Sequence, residues 1–280
     1  MSRTFESAKG PALIDHGNLE EFADADVYDL EDDSDVGIAF YAALAHESGG
    51  PVLEIACGTG RVAIPIARQG FAVTGLDVVP GMLARARAKS AGLPTRWLEG
   101  DARDFDLGET FRLIFLTGNA FQAFLTRADQ EALLGRVRAH LHDDGLFAFE
   151  TRNPRQRIAA AAEAQGTPQA GLFAYLESRE TEQLWQTYTD ARGRTVRLSK
   201  TQIWDPGAQL LHWTTFRRWH EDGVLQTKVT RIAVRFTSAQ ELARLLHDNG
   251  LEIVRQYGGW NLEPLSAASR SIIVVCRKRR

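Results

Sequence analysis

Val52-Leu53-Glu54-Ile55-Ala56-Cys57-Gly58-Thr59-Gly60-Arg61-Val62-Ala63 opens as a short apolar strand, breaks into a turn of small residues, and restarts as a helix from Arg61 to Gln69 that Gly70 closes. Outward from this stretch the alternation repeats. A second strand, Ala72 to Leu76, ends at Asp77. A helix from Pro80 to Ser90 follows, then strands at Thr95 to Glu99 and Leu113 to Thr117, a helix from Arg127 to His140 and a strand from Leu146 to Glu150. Upstream, Val36, Ile38, Phe40, Tyr41, Leu44 and Ala45 recur at helical spacing before Gly49-Gly50. Apolar strands alternating with amphipathic helices specify an α/β fold with a mostly parallel sheet, because parallel neighbours require crossover connections.

After Asn153-Pro154 the texture changes. A helix candidate, Arg155 to Gln165, leads into alternating stretches at Leu184 to Thr189, Thr195 to Trp204, Leu210 to His220 and Thr227 to Phe236. The breaks between them, Asp190-Ala191-Arg192-Gly193, Asp205-Pro206-Gly207 and Glu221-Asp222-Gly223, are turn chemistry, so this region reads as an antiparallel meander. Trp185, Trp204, Trp213 and Trp219 all fall on it, as packing surface or subunit contact before pocket wall. Ser238 then caps a helix through His247, and Leu251 to Arg255 with Ile272 to Cys276 supply two last strands. The expected organisation is an N-terminal acidic lid segment and helix over 1–50, a cofactor-binding α/β core over 51–154, an inserted helix and antiparallel sheet over 155–236 acting as cap or dimerisation surface, and the final helix and strands over 237–280.

The composition, 44% hydrophobic and 25% charged over 280 residues, is that of a globular chain rather than a collagenous or disordered one. A net charge of -3 offers no positive field to a phosphate backbone, which argues against a nucleic-acid partner. Two cysteines, Cys57 and Cys276, make neither a disulfide framework nor a zinc site. No run nears the roughly 18 apolar residues of a membrane span, and the opening residues lack an apolar leader core, so a cytoplasmic protein is expected. The charge is nonetheless uneven: Glu20, Glu21, Asp24, Asp26, Asp29, Glu31, Asp32, Asp33 and Asp35 crowd one segment, and Phe22, Val27, Tyr28 and Leu30 give it apolar anchors for docking.

The small-residue turn lets a ligand approach the backbone closely, and Asp77, nineteen positions after Gly58, ends the next strand where an acid accepts bonds from both hydroxyls of a ribose. These features describe a nucleoside cofactor at the carboxyl edge of a parallel sheet. Gly58-x-Gly60-x-x-Ala63 fits the dinucleotide fingerprint as well, so the glycines leave a nicotinamide cofactor open. Three further features separate the alternatives: Glu54 inside the first strand, the turn Glu99-Gly100-Asp101-Ala102 after the third, and Leu116-Thr117-Gly118-Asn119-Ala120-Phe121 closing the fourth.

On these residues the stretch from Pro51 to Pro154 resembles the class I S-adenosylmethionine-dependent methyltransferases of small molecules, with Ala56 where that family usually has glycine. The resemblance implies a Rossmann-like sheet with helices on both faces and S-adenosyl-L-methionine as cofactor. It further implies that Ala56, Gly58 and Gly60 shape the floor under the methionine part, with Glu54 also among the cofactor-binding residues, that Asp77 holds the ribose and Asp101 with Ala102 the adenine edge, and that Val78 and Met82 flank the adenine. Leu116, Thr117, Gly118 and Asn119 would line the sulfonium end, and Arg61 would pair with the cofactor carboxylate or cap the sheet edge. Tyr28 would close over the cofactor and, with Phe121, Arg152 and Trp260, line the substrate.

Methyl transfer from a sulfonium is an in-line displacement that positioning largely accomplishes; an amine needs no base, whereas an alcohol or phenol usually does. His212 and His220, on one strand of the meander with equal parity, are the candidate bases. No clustered carboxylates mark a metal site, and no Ser/Tyr-x-x-x-Lys constellation for hydride transfer follows the glycine turn. The expected reaction is transfer of a methyl group to a nitrogen or oxygen of a small metabolite, by a monomer or homodimer. An NAD(P)-dependent oxidoreductase and a noncatalytic S-adenosylmethionine-binding module are the alternatives.

Overall fold

Every residue of strand β1 (Val52–Ile55) is buried, as expected of a central strand in a parallel sheet with both faces covered. The computed structural model describes residues 16–32, 34–154 and 176–279. β1 pairs in parallel with β2 (Val73–Asp77) on one side and with β4 (Phe111–Leu116) on the other. β3 (Thr95–Glu99) extends the sheet beyond β2, and β5 (Leu141–Arg152) extends it beyond β4. The last two strands, β10 (Leu251–Tyr257) and β11 (Ser271–Lys278), complete a seven-stranded sheet of order β10-β11-β5-β4-β1-β2-β3, with β11 antiparallel to both its neighbours. The chain leaves β1 toward β2 and returns on the far side as β4. This reversal opens a crevice at the carboxyl ends of the strands, where open α/β sheets bind ligands.

Two apolar layers cover the sheet. On one face Leu53, Ile55, Phe147 and Phe149 pack against helix α5 (Arg127–His140) and helix α6 (Ala239–Asp248). On the other, Val52, Phe115 and Ala148 meet α2 (Ile38–Ser48), α3 (Ala63–Ala67) and α4 (Pro80–Lys89). α3 is shorter than the spacing predicts because the Ala63 N–H is bonded to the Glu54 side chain, which leaves Arg61 and Val62 to the turn. β5 starts earlier than predicted, at Leu141 beside Phe111, so Asp143-Asp144-Gly145 lies within an irregular strand rather than a loop. The helix candidate at 155–165 lies outside the described residues.

Between β5 and α6 the chain forms a separate antiparallel sheet of β6 (Arg179–Thr189), β7 (Thr195–Asp205), β8 (Leu210–Glu221) and β9 (Val224–Arg235), in that order. Its reversals fall at the three predicted turns. Strand alternation puts Lys200 and Gln202 on the same face as Trp213, Thr215 and Arg217, and the Trp213 indole donates to Gln202 Oε1 at 3.2 Å. His212 and His220 alternate to the other face and are exposed.

The acidic segment is folded onto both sheets. A 3₁₀ turn (His16–Phe22) lies along the edge of β9: Asn18 exchanges hydrogen bonds with the Ala233 backbone, at 2.6 and 3.2 Å, and Glu20 accepts from the Arg231 N–H at 2.9 Å. α1 (Ala25–Glu31) follows, capped by Asp24, whose side chain accepts from the Val27 N–H. Glu21 and Glu31 both grip Arg217 of β8, each at 2.6 Å, with Tyr188 donating to Glu31 at 2.8 Å. On the opposite flank Asp29 accepts from Thr59 of the β1 turn and pairs with Arg85 and Lys89 of α4. Glu20, Glu21, Asp29 and Glu31 are therefore structural joints.

The Arg217 side chain is only 6% exposed. Burial acts to raise the Glu21 pKa, but Arg217 and the Thr215 hydroxyl more than offset it and leave that pKa below its ordinary value. Removing one partner of a buried pair costs about 3–5 kcal/mol, so Arg217→Met is expected to lower stability by that order at pH 7 in denaturant titrations. A carboxyl with a lowered folded pKa contributes stability above its unfolded pKa and loses it in acid. The difference between Arg217→Met and wild type therefore shrinks as the pH falls below about 4, where Glu21 is protonated in the unfolded chain. A second test lies in β2, where a Cβ on Gly75 would stand 2.4 Å from the Trp97 ring and 2.8 Å from Cys57 Sγ. Gly75→Ala is expected to lower stability by about 1–3 kcal/mol through overpacking, read as a lowered unfolding midpoint.

Candidate active site

The turn after β1 is held in a left-handed conformation, with φ of 53° at Ala56, 53° at Gly58 and 80° at Gly60. For alanine that region costs roughly 1–2 kcal/mol, so the surroundings must impose it. They do so from three directions. Cys57 donates its N–H to the Leu76 carbonyl at 3.1 Å. Asp77 accepts the Gly58 N–H on Oδ2 at 2.7 Å and the Val79 N–H on Oδ1 at 2.9 Å, joining the β1 turn to the end of β2. From beneath, Glu54 Oε2 accepts the Ala63 N–H at 2.9 Å.

Above the turn is a cavity of about 350 Å³. Ala56 and Gly58 form its floor, Leu76, Asp77, Val78 and Met82 one wall, Asp101, Ala102 and Arg103 its far end, and Thr117 and Gly118 the opposite side. Leu19, Phe22 and Tyr28 of the acidic segment roof it, and Phe22 meets Tyr28 edge to face. A larger depression of about 950 Å³ along β10 is lined by chain-surface residues such as Asp143, His247 and Arg277, and has neither the glycine turn nor the strand-end acids.

The donor set suits the cofactor implied by the sequence. Each Asp77 oxygen holds one backbone amide and keeps acceptor capacity for a hydroxyl. Burial raises the Asp77 pKa, against which the Val79 and Gly58 amides act. At the far end Asp101 is fixed by Arg103, which also reaches Asp129 at 2.9 Å, so that Asp101 is a held acceptor beside apolar Ala102. At the near end the side-chain oxygen of Asn119, a residue at φ 59°, is buried without a partner among the described residues.

Behind the Thr117 side a buried network fixes the loop. Glu150 accepts the Asn119 N–H at 3.1 Å and lies within 3.5 Å of the Thr117 hydroxyl. The Tyr41 hydroxyl, fully buried, contacts both Glu150 and the Leu116 carbonyl. Burial pushes the Glu150 carboxyl above its ordinary pKa. Glu54 is pushed up to about 8, chiefly by burial, with Arg61 opposing.

The structure brings together Tyr28, Ala56, Gly58, Asp77, Val78, Met82, Asp101, Ala102, Thr117 and Gly118. Several other expected site residues are placed elsewhere. Glu54 is fully buried beneath the turn, where it supports rather than lines the cavity. Gly60 sits under the turn because a Cβ there would stand 2.8 Å from Trp97. Leu116 and Phe121 are core residues at 0% exposure, Phe121 stacking on Phe149. Arg61 donates to the Ser34 and Val36 carbonyls at 2.8 and 3.0 Å and to Thr117, fastening the chain between α1 and α2 to the loop after β4. Trp260 packs on Phe40, Tyr41 and Gly37, remote from the cavity. His212 and His220 lie exposed on the far face of the four-stranded sheet and do not line the cavity, which removes both as candidate bases.

Sequence reasoning missed Asn18, Leu19, Arg103, Asp129 and Arg217. Asp129 carried a local signal, standing three residues after the cap Thr126 of α5. Arg217 carried one in its parity with Trp213. The ion pairs each makes join residues far apart in sequence.

Residues 52–145 match the methyltransferase domain family model. The chain is 26% identical to the cypemycin N-terminal methyltransferase of a Streptomyces species over 239 residues, 82% of this chain and 84% of that one. It is 31% identical over 120 residues to the dTDP-3-amino-3,6-dideoxy-alpha-D-glucopyranose N,N-dimethyltransferase of Streptomyces fradiae, 43% of this chain and 46% of that one. Among solved structures, the CcbJ methyltransferase from Streptomyces caelestis has the same fold, with a TM-score of 0.75 at 24% identity over 93% of this chain and 98% of that one. The family match falls on the half of the main sheet that builds the cavity, so residues 52–145 are a methyltransferase domain similar to those of the S-adenosylmethionine-dependent enzymes, while the likeness of fold extends over nearly the whole chain.

Proposed function

We propose that the protein transfers a methyl group to a nitrogen or oxygen of a small metabolite, with an amine as the favoured acceptor. The observation that carries this reading is the roofed cavity between the glycine turn and residues 16–31, with Asp77 and Asp101 at successive strand ends. In this reading Asp77 holds the ribose hydroxyls, Asp101 and Ala102 meet the adenine edge, and Val78 and Met82 flank its faces. Thr117, Gly118 and Asn119 face the methionine end. S-adenosylmethionine bound there supplies an electrophilic methyl on a positively charged sulfur.

The chain's own contribution is placement and exclusion of water. The turn brings backbone rather than side chain against the ligand, and Phe22 and Tyr28 close over it. Tyr28 has its pKa raised, first by burial and then by Asp32, so it remains a neutral phenol donating to Asp32 at 3.2 Å. With both candidate histidines on the far face, an acceptor that brings its own lone pair fits better than one needing a base. The similarity to the cypemycin N-terminal methyltransferase, through most of both chains, supports the same choice. The four-stranded sheet, joined to the roof by Arg217, covers the acceptor side.

Two measurements test this. Incubation of the protein with S-adenosylmethionine and a panel of amines, amino sugars, free-amino-terminus peptides and hydroxylated compounds is expected to give products heavier by one methylene, amines foremost. Cofactor binding with no product across the panel would favour a noncatalytic module, and tight NAD(P) binding without response to S-adenosylhomocysteine would return the oxidoreductase reading. For the ribose assignment, hydrogen bonds to a charged acceptor contribute about 1.5–3 kcal/mol, so Asp77→Ala should weaken S-adenosylhomocysteine binding by at least about tenfold in calorimetry. Asp77→Asn should fall between. Equal affinities would remove Asp77 from that role.

A further inference from the structure

Where the cap sheet meets the end of β5, two cations converge on one indole. The Arg152 guanidinium lies 5.2 Å from the Trp213 ring centre, and the Lys200 ammonium lies 5.7 Å from the same ring and 5.1 Å from that of Trp185. Among the described residues Arg152 makes one side-chain hydrogen bond, from Nη1 to Gln122 Oε1 at 2.8 Å, and a guanidinium has five N–H donors. Among the described residues neither cation has a carboxylate in ion-pair range, because the neighbouring acids are engaged elsewhere. Glu21 and Glu31 grip Arg217, Glu150 holds Tyr41 and the Asn119 amide, and Asp32 accepts from Tyr28.

Desolvated cations placed side by side without a counter-charge are costly. Burial pushes the Arg152 pKa down to about 10 against the pull of Glu150 and Asp32. Burial also lowers the Lys200 pKa, with Arg152 and Arg217 adding to the effect and Glu21 and Glu31 opposing it. Location gives the arrangement a use. Arg152 ends the strand that carries Glu150, at the same sheet edge as Thr117 to Asn119, and Asp32 connects it to the roof through Tyr28.

We propose that Arg152 and Lys200, sharing the Trp213 indole, bind an anionic group of the acceptor, a carboxylate or a phosphate, on the cap-sheet side of the methyl-transfer site. The acceptor is then an amine or hydroxyl compound that also carries such an anion. This rests on the methyltransferase reading above and names its substrate class. The competing role is mechanical, with the Arg152–Trp213 cation–π contact joining the four-stranded sheet to the core at about 0.5–2 kcal/mol.

The test uses the full chain saturated with S-adenosylhomocysteine, titrated calorimetrically with succinate and with inorganic pyrophosphate at low ionic strength. Saturable binding of at least one probe at a single site is expected, and the preferred probe identifies carboxylate or phosphate as the natural group. Arg152→Met and Lys200→Met should each weaken that binding at least tenfold while S-adenosylhomocysteine affinity stays within twofold of wild type; Arg152→Lys should recover part of the loss. Lys200 lies on β7 of the four-stranded sheet, away from the main-sheet core, so its variant keeps the test available should Arg152→Met fail to fold. In the acceptor panel, anionic amines should show a lower KM than neutral counterparts, and Lys200→Met should raise that KM with little change in kcat. Failure of both probes to bind, or binding that survives both substitutions, would overturn the proposal while leaving methyl transfer standing. Failure of wild type to bind S-adenosylhomocysteine would instead strike the reading on which it rests.

Discussion

The Asp77 carboxylate is the tie on which the site depends. It takes one backbone amide from the turn after β1 and one from the residue that leads into α4, so a single side chain fixes the separation of two strand ends. Parallel strands are joined by crossovers rather than tight turns, so their neighbouring carboxyl ends need a tie of their own. A carboxylate with two acceptor oxygens is the smallest group that can bridge such a gap and still accept from a ligand. The left-handed turn at Ala56 to Gly60 is stable because this bridge, the Glu54 carboxylate below and the Leu76 carbonyl beside it leave the backbone no alternative partners.

The remaining architecture encloses the floor so made. Residues 16–31 contribute apolar side chains to the cavity, while Glu21 and Glu31 meet Arg217 of the four-stranded sheet and Asp29 meets Arg85 and Lys89 of α4. A net charge of -3 therefore gives little idea of the field inside the protein. Acidic residues crowd one segment so that it can bind Arg217, Arg85 and Lys89. Among the described residues the cations Arg152 and Lys200 have no carboxylate in ion-pair range on the side of the four-stranded sheet.

Much of this was legible in the sequence. The order of strands, the turns of the meander and the strand-end positions of Asp77 and Asp101 follow from local periodicity and turn chemistry, which act over a few residues. Trp260 and Phe121 were misplaced because aromatic character is equally suited to a pocket wall and a core, and only tertiary packing on Phe40 or Phe149 decides between them. Glu54 and Arg61 flank a ligand-binding turn in sequence but serve it from behind and from the side, a distinction set by which way each side chain leaves the backbone. His212 and His220 shared a parity, yet parity alone does not say which face of a sheet is covered. Arg217, on the opposite parity, answers that question through its two glutamates.

The roof is held by unlike fastenings at its two edges. Toward the cap sheet, Arg217 is 6% exposed and its partners Glu21 and Glu31 are 10% and 14% exposed, out of reach of dissolved ions. Toward α4, Arg85 and Lys89 are 44% and 33% exposed, and at 1 M salt the screening length falls to about 3 Å. Ionic strength thus acts on one edge and spares the other. The segment is a flap whose hinge belongs to the cap and whose free margin lies over α4, so concentrated salt loosens the margin while the hinge keeps its grip.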